Sequence, residues 1–141
     1  MRGALFVDTS AWVGLFAEND QYHERAVRVY EDCLRDGRDL VTTNRVLAET
    51  VTRIRREAGH KAAATAWDVL EQKEAIRLID TGPSIRRAAR RIFGKYSELE
   101  HSLVDCVSFA IMIRLGLREA FTFDSDFEKA GFMVRPGRGR E

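Results

Sequence analysis

Residues 4–8, Ala4-Leu5-Phe6-Val7-Asp8, read as a strand with no polar position until its last. A strand without polar alternation must be covered on both faces, which is the condition of a parallel sheet between layers of helices. The run ends on a carboxylate followed by two hydroxyls, Thr9 and Ser10. A buried strand has no structural use for an acid at its tip. The same conflict recurs at three further places in the chain.

Residues 39–43, 75–80, 119–123 and 132–134 read as further strands. Helical stretches separate them. Residues 10–16 follow a Thr9 or Ser10 cap. Residues 22–35 put Ala26, Val29, Tyr30 and Cys33 on one face and stop at Gly37. Residues 45–58 are capped by Asn44, carry Leu47, Val51, Ile54 and Ala58 on one face, and stop at Gly59. Residues 60–73 are alanine-rich. Pro83 opens a helix that runs to about residue 96, residues 102–115 form another that Gly116 stops, and residues 125–130 form a short helical turn. Strands alternating with helices predict an α/β fold with a mainly parallel sheet of about five strands and helices on both faces. The 141 residues suit a single domain, 1–141, whose Gly- and Arg-rich end, residues 135–141, is expected to fray. Such sheets bind ligands beyond the carboxyl ends of their strands, where strand order reverses. Asp8 and Asp124 both stand at such ends.

Composition removes several classes of function. With 23 Lys+Arg against 22 Asp+Glu, net charge alone does not indicate a nucleic-acid binder. Asp8 interrupts the first apolar run, so it is not a signal sequence. Residues 103–113 are too short to span a bilayer and contain Asp105. A soluble cytoplasmic protein is expected. Cys33 and Cys106 lack metal-ligand spacing and are expected to be buried free thiols. His23, His60 and His101 are read as having no partner three or four positions on, so no histidine metal site or base is expected, and all three are expected at the surface. Trp12 and Trp67 are expected in the core. No G-x-S-x-G, P-loop or G-x-G-x-x-G is present.

The acids carry the chemistry. Asp105 sits in Leu103-Val104-Asp105-Cys106-Val107-Ser108-Phe109-Ala110-Ile111-Met112-Ile113, a helix apolar nearly all round and therefore buried. An unpaired carboxylate there costs several kcal/mol unless it meets a partner or a cation. The competing reading is a helix-capping acid after Ser102. Asp124 and Asp126 lie in Phe123-Asp124-Ser125-Asp126-Phe127, where one of them can cap the following turn. Glu49 projects opposite the apolar stripe of its helix, which reads as solvated. Two carboxylates about 4 Å apart repel by roughly 4 kcal/mol at an effective dielectric of 20, so a gathered set must hold protons or a cation. Oxygen ligands alone select Mg²⁺ or Mn²⁺, and such a centre supports phosphoester hydrolysis. Arg86, Arg87, Arg90, Arg91 and Lys95 form one basic stripe, and Arg53, Arg55 and Arg56 a second cluster. Both read as faces suited to a polyanion or as solvated helix surface.

Val7-Asp8-Thr9-Ser10, Glu49, Ser102-Leu103-Val104-Asp105-Cys106 and Thr122-Phe123-Asp124-Ser125-Asp126-Phe127, in that order, resemble the PIN-domain ribonucleases, and in length most resemble VapC-type toxins. The resemblance implies an α/β/α sandwich. It implies an acidic quartet of Asp8, Glu49, Asp105 and Asp124, with Asp126 as a fifth acid, binding Mg²⁺ or Mn²⁺ and cleaving RNA. Ser10 and Thr122 match hydroxyls that orient ligands or water. A homodimer and a silencing antitoxin protein are implied as partners. Two alternatives stand beside it. A haloacid-dehalogenase-like phosphatase would need a second Asp where Ser10 stands. A non-catalytic module would use the acidic pocket to bind a basic peptide.

Overall fold

A computed structural model describes residues 3–97 and 101–137. The elements run β1 (Leu5–Val7), α1 (Thr9–Phe16), α2 (His23–Arg35), β2 (Leu40–Thr43), α3 (Asn44–Ala58), α4 (His60–Gln72), β3 (Ile76–Ile79), α5 (Pro83–Lys95), α6 (Leu103–Leu115), β4 (Glu119–Phe121), α7 (Ser125–Lys129) and β5 (Met133–Arg135). The five strands form one sheet in the order β3-β2-β1-β4-β5, and every pair is parallel. Phe6 stands opposite Val41 on one side and Ala120 on the other.

Right-handed crossovers account for the layers. The chain moves from β1 outward to β3 with its helices on one face, then returns to β4 and β5 with its helices on the other. Accordingly α1 packs on α2, α3 and α4, while α5 packs on α6 and α6 on α7. The order reverses between β1 and β4, so the crevice beyond their carboxyl ends is the natural ligand position. Leu5, Phe6 and Val7 are fully buried, as an unalternated strand requires. Trp12 is fully buried as well. Its indole N–H donates to the Thr42 hydroxyl at 3.2 Å, and that hydroxyl donates to the Val7 carbonyl at 3.1 Å. α1 is thereby fixed over the end of β1.

Several local expectations are corrected. Trp67 is 48% exposed and donates to Glu71 at 2.9 Å. Ala63, Ala66 and Leu70 make the buried face of α4, and Trp67 stands one residue, about 100°, past Ala66. Thr43, not Asn44, caps α3, its hydroxyl accepting from the Val46 N–H at 3.2 Å. The Asn44 amide oxygen instead accepts from the Thr81 N–H at 3.0 Å and hydroxyl at 2.9 Å, holding the β3–α5 loop. Val46 and Thr50 join Leu47 and Ile54 on the buried face of α3, while Ala58 is exposed. α1 starts one residue early, with Asp8 as its capping residue but without a side-chain cap bond. Arg135 belongs to β5, opposite Phe121, and the fraying expected of residues 138–141 lies outside the described residues. Cys33 and Cys106 are free and buried, as expected. No helix among the described residues is long and apolar enough to cross a membrane.

Gly14 lies inside α1, where glycine weakens a helix. Its role is close approach: a Cβ there would stand 3.2 Å from Ala26 Cβ on α2. Gly14→Leu is expected to destabilise the protein by ~1–3 kcal/mol through overpacking, read as a lowered urea midpoint at unchanged slope.

Candidate active site

Asp8 follows the last residue of β1, and its backbone N–H donates to the Phe121 carbonyl at the end of β4. Strand β4 ends at Phe121, so Thr122, Phe123 and Asp124 form a connection over the end of the sheet rather than the end of the expected longer strand. Two hydroxyls bind this connection to Asp8. Thr122 donates to Asp8 Oδ2 at 2.9 Å and accepts from the Asp124 N–H at 2.9 Å. Ser10 reaches the same Oδ2 at 3.2 Å and accepts from the Phe123 N–H at 2.8 Å. Each hydroxyl thus accepts one backbone amide and aims at one carboxylate oxygen. The loop that carries Asp124 is fixed by the group that fixes Asp8.

Asp105 arrives from the opposite helical layer. Ser102 and Asp105 form a capping box at the start of α6: the Asp105 N–H donates to Ser102 Oγ at 3.0 Å, and the Ser102 N–H to Asp105 Oδ2 at 3.3 Å. The capping reading of Asp105 therefore holds, and it does not exhaust the residue. Asp105 is 8% exposed and Asp8 3%. Burial pushes the Asp105 carboxyl up to about 7, the charges of Asp8, Asp124 and Asp126 add to it, and the Ser102 amide opposes it. Burial pushes Asp8 up to about 6 with help from Asp124, against hydrogen bonds from Thr122, Thr9 and Ser10. Asp124 also caps α7, accepting from the Asp126 N–H at 2.9 Å.

Asp8, Asp105 and Asp124 lie close enough for their charges to act on one another's carboxyls, with Asp126 also acting on Asp105. Glu49, in the second turn of α3, is half-buried. It makes no hydrogen bond or ion pair among the described residues and is not among the largest influences on either raised carboxyl. Arg86, Arg87, Arg90 and Arg91 are exposed along α5. Arg53 pairs with Glu57 at 3.9 Å, and Arg56 is exposed.

The surface placement expected for histidine is wrong for His101. Its side chain is 2% exposed, and Nδ1 faces Asp126 Oδ2 at 3.5 Å. One ligand atom each from His101, Asp105 and Asp126 lie within 4.8 Å of one another. The expectation that His101 has no partner four positions on, and so no part in a metal site, is corrected too: Asp105 stands there. His23 is half-buried against the Gly14 carbonyl at 2.8 Å, and His60 is exposed as expected. Also unanticipated is the stack of Tyr22 on Phe123, with centroids 4.4 Å apart. Tyr22, Phe123 and Arg25 line a cleft of about 200 Å³ that includes Thr122 and Asp124.

The donor set fits a divalent cation. It is all carboxylate around Asp8, and two of its members are driven to hold protons by burial and by one another, the condition that a cation relieves. The phosphatase alternative fails at Ser10, which stands where that class needs its second acid and serves here as a clamp on Asp8.

The PIN domain family matches residues 5–133. The chain is 35% identical over 133 residues to the 23S rRNA-specific endonuclease VapC20 of Mycobacterium tuberculosis, covering 94% of this chain and 98% of that protein. The crystal structure of that VapC20, a Sarcin-Ricin loop cleaving toxin, superposes with a TM-score of 0.84 at 32% identity, covering 92% and 97% of the two chains. VapBC2 of Rickettsia felis, bound to a promoter DNA fragment, shares the fold with a TM-score of 0.68 at 12% identity, covering 93% of this chain and 96% of that one.

The raised carboxyls set a pH dependence. Their folded values, about 6 and about 7, lie above the ordinary 3.8. The stability they contribute is therefore full below pH 4 and is lost as pH rises through 6 and 7. In metal-free protein, Tm is expected to fall between pH 5 and pH 8. Asp8→Asn and Asp105→Asn should each raise Tm at pH 8 by about 5 °C or more and flatten that slope. Two destabilised variants at pH 8 would mean that the acids are structural partners.

Proposed function

The chain belongs to the PIN-domain family, and from that premise we propose that it is a metal-dependent endoribonuclease acting as the toxin of a toxin–antitoxin pair. The observation that carries the reading is the convergence of Asp8, Asp105 and Asp124 from both helical layers onto the reversal point of the sheet. The near full-length similarity to a 23S rRNA endonuclease supports RNA as the substrate.

Asp8, Asp105 and Asp124 would hold Mg²⁺ or Mn²⁺, with Glu49 and Asp126 acting directly or through water. A cation held there would supply a water of lowered pKa and offset charge on the phosphodiester. The chain's own groups prepare that event. Thr122 and Ser10 orient the Asp8 carboxylate and hold the Asp124 loop at a fixed distance from it. Burial strengthens every charge interaction at the site. The aromatic cleft of Tyr22 and Phe123 beside Asp124 offers a wall for a base next to the scissile phosphate. Arg86, Arg87, Arg90 and Arg91, with Arg53 and Arg56, would position the RNA backbone without choosing sequence. Exposed Phe93, Leu103, Ile113 and Met133 supply apolar surface for protein partners, an antitoxin and a second copy of the chain.

Asp8→Asn and Asp124→Asn are expected to lower Mg²⁺- or Mn²⁺-dependent RNA cleavage by on the order of 10²-fold or more. Ser10→Ala and Thr122→Ala should cost about 10- to 100-fold, the range for groups that orient ligands. 23S rRNA is the first substrate to assay. Cleavage by Asp8→Asn at the wild-type rate would overturn the reading. Binding of a basic peptide without any turnover would favour the non-catalytic alternative. Replacing Arg86, Arg87, Arg90 and Arg91 by Gln together should weaken RNA binding and reduce its salt dependence.

A further inference from the structure

His101 is the group that the proposed chemistry leaves unexplained. Its side chain is 2% exposed, and among the described residues neither ring nitrogen has a hydrogen-bond partner. A buried donor or acceptor left without a partner costs about 1–3 kcal/mol. Such groups persist where something else meets them. Packing accounts for the ring: the imidazole stands edge-on to Phe109 at 4.9 Å and to Tyr96 at 5.7 Å. Packing does not account for the nitrogens, since a phenyl ring would fill the same place without their cost. The Nδ1–Asp126 Oδ2 separation of 3.5 Å is too long for a good hydrogen bond.

The surroundings of that ring complete a coordination set. One ligand atom each from His101, Asp105 and Asp126 lie within 4.8 Å of one another. Ligands about 2.1 Å from an ion stand roughly 3.0–3.4 Å apart at octahedral or tetrahedral angles, so a small closing movement suffices. Asp105 is placed to belong to two sites. One oxygen accepts the Ser102 amide, which fixes the carboxylate plane. Its charge is coupled to Asp8 and Asp124 as well as to Asp126.

We propose that His101, Asp105 and Asp126 form a second divalent-cation site beside the one at Asp8 and Asp124, with Asp105 bridging the two and His101 supplying a nitrogen ligand. This rests on the proposed metal centre and deepens it. The two positions differ in selectivity. An all-oxygen site accepts Mg²⁺, whereas an imidazole ligand shifts preference toward Mn²⁺, Co²⁺ or Zn²⁺. The competing arrangement is a simple imidazolium–Asp126 pair without an ion.

Mn²⁺ binding to the full chain, without RNA, tests this. Electron spin-echo envelope modulation reads a directly bound nitrogen. Wild-type protein is expected to bind two equivalents of Mn²⁺ and to show ¹⁴N modulation, which changes to ¹⁵N on labelling histidine at the imidazole. His101→Phe keeps the ring packing and should remove the nitrogen signal, with Mn²⁺ affinity for one of the two equivalents weakened about tenfold or more. The chain contains three histidines. Should His101→Phe fail to fold, the His23→Gln/His60→Gln variant leaves His101 as the sole imidazole and must retain the signal. Absence of nitrogen modulation at saturating Mn²⁺ overturns the inference, as does modulation that survives in His101→Phe. Failure of the ribonuclease reading looks different: the nitrogen signal would be present while wild-type protein cleaves no RNA.

Discussion

Like charges buried together are the constraint on which this structure turns. Asp8 and Asp105 reach one crevice from a β-strand and from a helix of the opposite layer, and burial raises both. Hydrophobic packing alone would never select that arrangement. It is sustained by the rest of the fold: an apolar β1 that cannot move, a capping box that orients Asp105, and two hydroxyls that tie Asp8 to the connection after β4. On the proposed function, a divalent cation would release the energy stored in the crevice, so the same feature that weakens the metal-free protein at neutral pH would give the site its affinity.

The parallel sheet explains why these side chains, and not others, meet. With β1 central and the order reversing between β1 and β4, the segments leaving those strands diverge to opposite faces and open a crevice between them. Residues that follow a strand end there have one side in the core and one in the crevice. Ser10 and Thr122 exploit that position by bonding inward to backbone amides and outward to a carboxylate. On the proposed function, the exposed arginines on α5 and the aromatic wall at Tyr22 and Phe123 would add affinity for a phosphodiester.

What was legible in the sequence follows the same logic. Asp8 and Asp105 betrayed themselves because an acid in an apolar run contradicts its own neighbourhood. The parallel sheet between two helical layers followed from strands alternating with helices, whereas its strand order emerges only in the fold. Asn44 and Thr43 were confused because either can cap, and the choice was made by Thr81, 37 residues away. Trp67 was misplaced because α4 buries alanines, so a narrow face leaves its neighbour outside. His101 was missed because its burial comes from Tyr96 and Phe109 in three dimensions, and no local period encodes that. Glu49 reads as solvated by pattern and is half-buried, without a hydrogen bond or ion pair among the described residues.

The central claim is that the buried carboxylates hold protons only until a cation replaces them. Carboxyl ¹³C shifts of Asp8 and Asp105, followed by NMR across pH in metal-free protein and again with saturating Mg²⁺, test it most directly. The account predicts apparent midpoints near 6 and 7 without metal, and midpoints below 4 with it. Ordinary midpoints near 3.8 in the metal-free protein, or raised midpoints that Mg²⁺ leaves unmoved, would contradict it.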